Sequence, residues 1–382
     1  MKYRKFGKLE WQASALGFGA MRLPIAAGDH SRVDETEVIK MMRYAFDHGV
    51  NYVDTAHGYH RGNSEVVIGK ALQDGYRSKV KIATKLPCHV VNSTADFDHC
   101  LDEQLKRLQT EQIDFYLLHH LNRLVWPKMV KLGIFKWADK AIADGRIAHF
   151  GFSYHDNYDL FQEIVDSYDN WTVAQIQYNY MDENYQAGTR GLQYAHEKGL
   201  AVVVMEPLRG GRLTAPPENV AAIWAEAKQT HTPQEWGLRW VWNHPEVSVV
   251  LSGMSNMEQV VENVAFAVHS QPHNLTPDEL ALVERVRDTY RSMGPIDCTG
   301  CRYCMPCPNG VDIPRIFGWY NEAVIHNSPQ RLRMYYKDPN MMIPEERAEN
   351  CIKCEICVEK CPQNLRIPEL LEKSHAFLTE KG

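Results

Sequence analysis

Three observations predict the fold class. Between residues 15 and 252, eight short apolar runs rich in Val, Ile, Phe and Tyr alternate with amphipathic stretches. No G-x-G-x-x-G follows the first of these runs. Ten cysteines are present, and eight of them fall between Cys298 and Cys361. The alternation argues for parallel βα units. Eight units suit a (β/α)8 barrel of the TIM type, typically about 250 residues long. The missing glycine pattern counts against the rival, a doubly wound open sheet. The chain of 382 residues is long enough for roughly two domains. The reading is therefore α/β: a TIM barrel with an N-terminal hairpin, then a small, mainly helical, cysteine-rich domain.

The elements follow in order. Tyr3–Phe6 and residues 11–14 flank Gly7-Lys8 and read as the hairpin. The barrel strands are expected at 15–21, 52–55, 80–86, 114–119, 149–154, 173–179, 201–206 and 247–252. After Asp34, Val38, Met42, Ala45 and Phe46 recur at i, i+4, i+7, i+8, the spacing of one helix face. His48-Gly49 closes that helix. Thr276-Pro277-Asp278-Glu279 opens a last helix over 278–290. After Gly294-Pro295 the composition shifts to Cys, Pro and Met, so the domains are read as 1–293 and 294–382.

Composition narrows the function classes. A 44% hydrophobic, 24% charged chain is ordinary for a globular protein with a full core. A net charge of −6 gives no basic footprint, so no nucleic-acid partner is expected. The opening MKYRKFGKLEW has no apolar h-region, and no run of about 18 apolar residues exists. No membrane span and a cytoplasmic location are expected. Cytosolic proteins rarely keep disulfides, so clustered cysteines point to metal.

In such a barrel, polar residues at the C-terminal ends of strands are the catalytic candidates. Here they are Asp54 and Tyr59 after the second strand, Lys85 after the third, and His119 with His120 after the fourth. A tyrosine is a poor acid at neutral pH unless its anion is stabilised. A lysine ammonium stabilises it, and an aspartate keeps that lysine charged and aimed. A neutral histidine orients a carbonyl oxygen. Together they protonate an oxygen as hydride reaches its carbon. Strand alternation is expected to turn His120 away from the pocket.

These residues resemble the aldo/keto reductase family. Asp54 and Tyr59 match its D-T-A-x-x-Y, Lys85 its T-K, and His119 its D-[LF]-Y-L-L-H. The resemblance runs from Leu16-Gly17-Phe18-Gly19-Ala20-Met21 to Glu262-Asn263, nearly the whole first domain. It implies a catalytic tetrad of Asp54, Tyr59, Lys85 and His119, and NAD(P)(H) extended across the barrel mouth without a Rossmann fold. It assigns Gly19, Ala20, Met21 and Asp54 to the cofactor, Ser153 and Gln175 to the carboxamide, and Met205 to the ring face in place of the usual aromatic. Glu206 belongs to the same segment; Leu208, Arg209 and Gly210 would meet the pyrophosphate. Gly253, Ser255, Gln259, Glu262 and Asn263 form the last cofactor segment. The family's V-S-N becomes Phe152-Ser153-Tyr154, so one asparagine contact is absent. Gly253 and Gln259 stand where cations often hold a 2′-phosphate, leaving NADH or NADPH open. A histidine at 119, rather than glutamate, implies carbonyl/alcohol chemistry on a small molecule. Trp126 is either a pocket wall or an anchor for its loop.

The cysteine runs are Cys298-x2-Cys301-x2-Cys304-x2-Cys307-Pro308 and Cys351-x2-Cys354-x2-Cys357-x3-Cys361-Pro362. The second is the bacterial ferredoxin pattern, whose fourth cysteine ligates the other cluster. The same logic predicts two [4Fe–4S] clusters, one on Cys298, Cys301, Cys304 and Cys361, the other on Cys351, Cys354, Cys357 and Cys307. The x2 before Cys307 departs from the pattern. Zinc on all-thiolate sites and a single cluster are the alternatives. An internal repeat, Ile313-Pro314 and Ile367-Pro368 equally spaced after each Cys-Pro, precedes expected helices at 315–323 and 369–377. The domain resembles the α-helical ferredoxins. Cys88 and Cys100 lack spaced partners and read as ordinary thiols.

The expected function is an NAD(P)-dependent carbonyl/alcohol oxidoreductase. Its clusters are structural or link it to a redox partner protein, because coupling one-electron clusters to hydride transfer normally takes a flavin. The alternatives are an electron-transfer enzyme whose clusters act on substrate, a non-enzymatic redox sensor, and an epimerase with tightly held cofactor.

Overall fold

The computed structural model describes residues 1–26, 29, 31–298, 300, 304–361 and 363–380. Of the sequence's metal candidates, Cys301 lies outside them. The chain forms two compact units: Met1–Ala215 with His231–Leu280, and Pro216–Thr230 with Ala281–Gly382.

The first unit opens with an antiparallel hairpin, β1 (Tyr3–Phe6) and β2 (Leu9–Ser14). Eight parallel strands then close into a barrel: β3 (Leu16–Gly19), β4 (Tyr52–Asp54), β5 (Lys81–Leu86), β6 (Ile113–Leu121), β7 (Ile147–Tyr154), β8 (Trp171–Gln177), β9 (Ala201–Met205) and β10 (Val247–Ser252). Closure comes from β10 on β3, with Val250 opposite Leu16. The main crossover helices are α1 (Glu35–Asp47), α2 (Asn63–Ala71), α3 (Thr94–Leu108), α4 (Trp126–Lys131), α5 (Ile134–Ala143), α6 (Tyr158–Asp166) and α7 (Gly188–Glu197). Then follow α9 (Pro233–Trp242) and α10 (Met257–Phe266); α8 (Glu218–Trp224) belongs to the second unit, and α11 (Pro277–Ser292) starts in the first and continues in the second. The eight expected strands are the barrel strands. Their ends differ by up to two residues, because edge residues of a run pair only where a neighbour offers a partner.

Local chemistry explains the elements. Asp34 caps α1 by accepting from the Glu37 amide, 3.2 Å away. Val38, Met41, Met42, Ala45 and Phe46 bury one face of that helix. Strand β10 is buried along its whole length, as expected when helices cover a parallel sheet.

The hairpin floors the barrel. The Phe6 ring lies 4.7 Å from Phe115 and 5.7 Å from Tyr52. Gly7 has φ +57°, and a Cβ there would lie 2.5 Å from the Ala201 amide nitrogen, so only glycine fits. Arg4 donates to the carbonyls of Val247 (2.8 Å), His244 (3.0 Å), Trp242 and Ser270. Burial pulls its guanidinium down to about 10, which still leaves it charged at neutral pH.

Period-two alternation carries this floor up to the rim. Tyr52, Ala83, Leu117, Val173 and Val203 fill the lumen. Two residues further along the same strands are Asp54, Lys85, His119, Gln175 and Met205. The strands are parallel, so these five share one end of the barrel.

In the second unit, α12 (Ile313–Ile325), α13 (Gln330–Lys337) and α15 (Ile367–Thr379) are helical, as expected, and a short α14 (Ile356–Glu359) lies inside the second cysteine run, where no helix is expected. Both α12 and α15 have 13 residues and begin Ile-Pro. The sequence reading started each helix two residues later. Proline belongs to the first turn, where its missing N–H has no partner to lose. The two helices pack together. Ile313, Ile316, Phe317, Ile367 and Leu371 share their core, against which Cys298, Cys304, Cys307, Cys351 and Cys361 pack.

Candidate active site

The site is organised around the Lys85 ammonium, 1% exposed. It donates to Asp54 Oδ1 at 2.7 Å and to the Thr55 carbonyl at 2.7 Å. The nitrogen also lies 5.0 Å from the centroid of the Tyr59 ring. Burial pulls the ammonium down, but Asp54 and Tyr59 outweigh it and hold it above its ordinary value. Burial pushes the Asp54 carboxyl up, opposed by Lys85. Burial likewise pushes the Tyr59 phenol up, again opposed by Lys85.

His119 stands edge-on to Tyr59 with ring centroids 6.0 Å apart. Burial first, then Lys85 and the imidazoles of His120, His89 and His57, push its pKa well below the ordinary value. At neutral pH it is uncharged, able to orient an oxygen but poor at donating a proton to it. The alternation argument for His120 fails. Between Leu118 and Leu121 the register shifts, and His120 has φ +61°. Its ring stacks on His155 at 4.3 Å, and its amide donates to Ser153 Oγ at 2.9 Å.

A second contiguous arc of the rim carries the residues assigned by resemblance to a cofactor. Ser153 and Gln175 are neighbours on β7 and β8. Among the described residues, Gln175 Oε1 and Asp54 Oδ2 are buried with no hydrogen-bond partner, although Gln175 also bears on the Asp54 carboxyl and pulls it down. Met205 ends β9, partly buried against the lumen. Glu206 follows with φ +55°, a region non-glycine residues rarely adopt. Arg209 N and Asn179 Nδ2 hold its carbonyl, each at 3.1 Å. Arg22 spans this arc, meeting Glu206 Oε1 at 3.1 Å and the Gly210 carbonyl at 2.7 Å. Its stem passes beside Gly253, and its carbonyl accepts from Ser255 Oγ at 2.9 Å. Gln259 Oε1 accepts from the Ser255 amide at 2.7 Å; Asn263 Nδ2 donates to Ser252 Oγ at 2.9 Å. Glu262 accepts from Gln234 at 3.4 Å. Gly19 ends β3, the Ala20 amide donates to the Asp54 carbonyl at 2.8 Å, and Met21 is exposed. Leu208 packs against Gly237.

The aldo/keto reductase family model matches residues 15–288. The chain belongs to the aldo/keto reductase family. A 4Fe-4S dicluster domain matches residues 297–365. L-galactose dehydrogenase of Arabidopsis thaliana is 27% identical over 77% of this chain and 96% of that protein. "Probable aldo-keto reductase 1" of Glycine max is 32% identical over 39% of this chain, but the match spans only 44% of that protein. Among solved structures, the aldo-keto reductase AKR11C1 of Bacillus halodurans in its holo form superposes with a TM-score of 0.62, at 27% identity. That match covers 75% of this chain and 96% of that one. The chain is thus an oxidoreductase by family, with an appended iron–sulfur domain.

Beside the aldo/keto reductase motifs lie residues that sequence reading missed. Glu65 on α2 is fully buried. It accepts from Thr84 Oγ1 and Gln104 Nε2, each at 2.6 Å. Gln104 Nε2 also reaches the Lys85 carbonyl at 3.1 Å, and its Oε1 accepts from Tyr116 at 2.7 Å. Arg22 was missed too. Arg209, which the resemblance places at the pyrophosphate, pairs with Asp182 at 3.1 Å. Tyr154, at the family's asparagine, is buried and donates to the Asn157 carbonyl. Trp126 is an anchor: 3% exposed, it donates to Glu163 at 3.0 Å and meets Phe135 edge-on. In the second unit, burial first, then the thiols of Cys351, Cys307 and Cys354, push the Cys357 thiol up.

Proposed function

We propose that the chain is an NAD(P)(H)-dependent reductase of small carbonyl compounds, and dehydrogenase of the corresponding alcohols. Residues 1–293 would form the catalytic domain and 294–382 the cluster domain. The family matches, which end at 288 and begin at 297, support that division.

Tyr59 is the acid in reduction and the base in oxidation. Lys85 stabilises its anion, Asp54 holds Lys85 charged and aimed, and neutral His119 orients the substrate oxygen. The observation that carries this reading is the Lys85 ammonium, donating to Asp54 and Thr55 and lying 5.0 Å from the Tyr59 ring centroid. Bound nicotinamide supplies or takes up the hydride.

The residues present fit that cofactor. The unpartnered, buried Gln175 Oε1 suits a primary carboxamide N–H, and Ser153 lies beside it. Met205 gives the ring a soft apolar surface. Gly19, Ala20, Met21, Glu206, Leu208 and Gly210 would line the diphosphate arc, and Gly253, Ser255, Gln259, Glu262 and Asn263 the adenosine end.

Two [4Fe–4S] clusters complete the proposal, on Cys298, Cys301, Cys304 and Cys361, and on Cys351, Cys354, Cys357 and Cys307. The spacing of the two cysteine runs and the 4Fe-4S dicluster match over residues 297–365 support them, with Cys307 one residue out of step. The clusters would be structural or would serve a redox partner protein, in a reducing, cytoplasmic setting. Anaerobic purification followed by NAD(P)H-linked assays of Tyr59→Phe and Cys354→Ser tests this. Loss of turnover in the first with retention in the second is expected. A folded Cys354→Ser protein without turnover would place the clusters in the reaction.

A further inference from the structure

We propose that Arg107, on α3, is a positioning residue for Tyr59. The proposal rests on reading Tyr59 as the proton donor and addresses what holds it beside Lys85.

The segment carrying Tyr59 has an unfavourable backbone. His60 and Arg61 have φ +50° and +55°, and Gly62 follows at +92°. Two successive non-glycine residues in the left-handed region persist only where their surroundings over-determine them. On one side, His60 Nε2 accepts from the Leu23 amide at 3.2 Å. On the other side stands Arg107. Its Nη1 donates to the His57 carbonyl at 3.3 Å and to Glu65 Oε2 at 3.2 Å. Its Nη2 donates to Glu103 Oε1 at 2.6 Å. Glu103 Oε2 in turn meets His57 Nε2 at 2.9 Å. The guanidinium also lies flat on Gly62, where a Cβ would come within 2.9 Å of Cζ.

Arg107 thus grips the segment two residues before Tyr59 and three residues after it. Glu65 carries the grip inward, because it is bound by Gln104, which also holds the Lys85 carbonyl. One planar fork therefore registers the tyrosine segment against the lysine strand. A lysine at 107 offers a point charge rather than a fork and serves fewer of these partners.

The test uses full-length, cluster-bearing protein with para-nitrobenzaldehyde and NAD(P)H, and the corresponding alcohol with NAD(P)+. Arg107→Ala is expected to lower kcat about 10- to 100-fold, with KM for both substrates nearly unchanged. Moving Tyr59 away from Lys85 removes the charge that favours its anion. The ascending limb of the pH–rate profile for alcohol oxidation therefore shifts to higher pH. Arg107→Lys should recover an intermediate rate and a smaller shift. A purely structural role would lower the active fraction and leave the profile of the surviving enzyme unmoved. Folded Arg107→Ala with wild-type kcat, or with reduced kcat and an unmoved profile, overturns the proposal. If Arg107→Ala does not fold, Arg107→Lys decides by the same profile. Tyr59→Phe runs alongside. Wild-type turnover in that variant overturns the reading beneath the proposal rather than the role of Arg107 alone.

Discussion

The barrel mouth and the cysteine-rich unit solve opposite electrostatic problems. At the mouth every buried charge meets its opposite within the chain: Lys85 meets Asp54 at 2.7 Å, and Arg107 meets Glu65 at 3.2 Å. Around Cys357, burial first and then three like groups, the thiols of Cys351, Cys307 and Cys354, push its thiol up. A donor set of like groups becomes favourable around a cation, and thiolate ligation is coupled to deprotonation. The lesson is that the first site is preorganised by the polypeptide, while the second depends on what it binds.

The largest test of that contrast is Tyr59→Phe. A general acid contributes about 100- to 10,000-fold, so kcat for aldehyde reduction should fall by that range while the visible absorbance of the iron–sulfur unit is unchanged. Next, Lys85→Met leaves Asp54 buried without its partner. Breaking such a pair costs about 3–5 kcal/mol, which the urea midpoint of the barrel transition reads. An unchanged midpoint would show that the mouth is less dependent on internal pairing than its geometry states. Third, chelating the iron should raise hydrogen exchange in the segments around 304–307 and 351–361. The amides of β4, β5 and β6 should keep their protection. Equal loss in both regions would remove the distinction between them.

The smallest expected effect is on pH dependence. His119 has a folded pKa below its unfolded value, so its contribution is complete at neutral pH. It is lost as the pH falls through the unfolded value, near 6.5, because only the unfolded chain then takes up the proton. One such group changes stability by at most about 1.4 kcal/mol per pH unit. His119→Asn should therefore lose less stability than wild type between neutral and mildly acidic pH, read as the difference between their urea midpoints.

The contrast also explains what could be read from sequence. Barrel strands and the grouping of Asp54, Tyr59, Lys85 and His119 were legible because both obey short-range rules: apolar runs between amphipathic helices, and Asp54 and Tyr59 within one loop. The cysteine unit was legible through spacing and through its repeated Ile-Pro helix starts. The direction of His120 could not be read from alternation, because a register shift at Leu118–Leu121 breaks the period and no residue type announces it. The bracing residues were missed for another reason. Arg22 reaches Glu206, 184 positions away, and Arg107 reaches His57, 50 positions away. Such pairs exist only once the barrel has closed.

The central claim is that the barrel mouth moves hydride to a carbonyl carbon with Tyr59 supplying the proton. Following deuterium from nicotinamide nucleotide labelled at the transferring position tests it most directly. The account predicts one deuterium on the carbinol carbon of the product, formed at least about 100-fold more slowly by Tyr59→Phe. Product without the label, or Tyr59→Phe matching the wild-type rate, would contradict it.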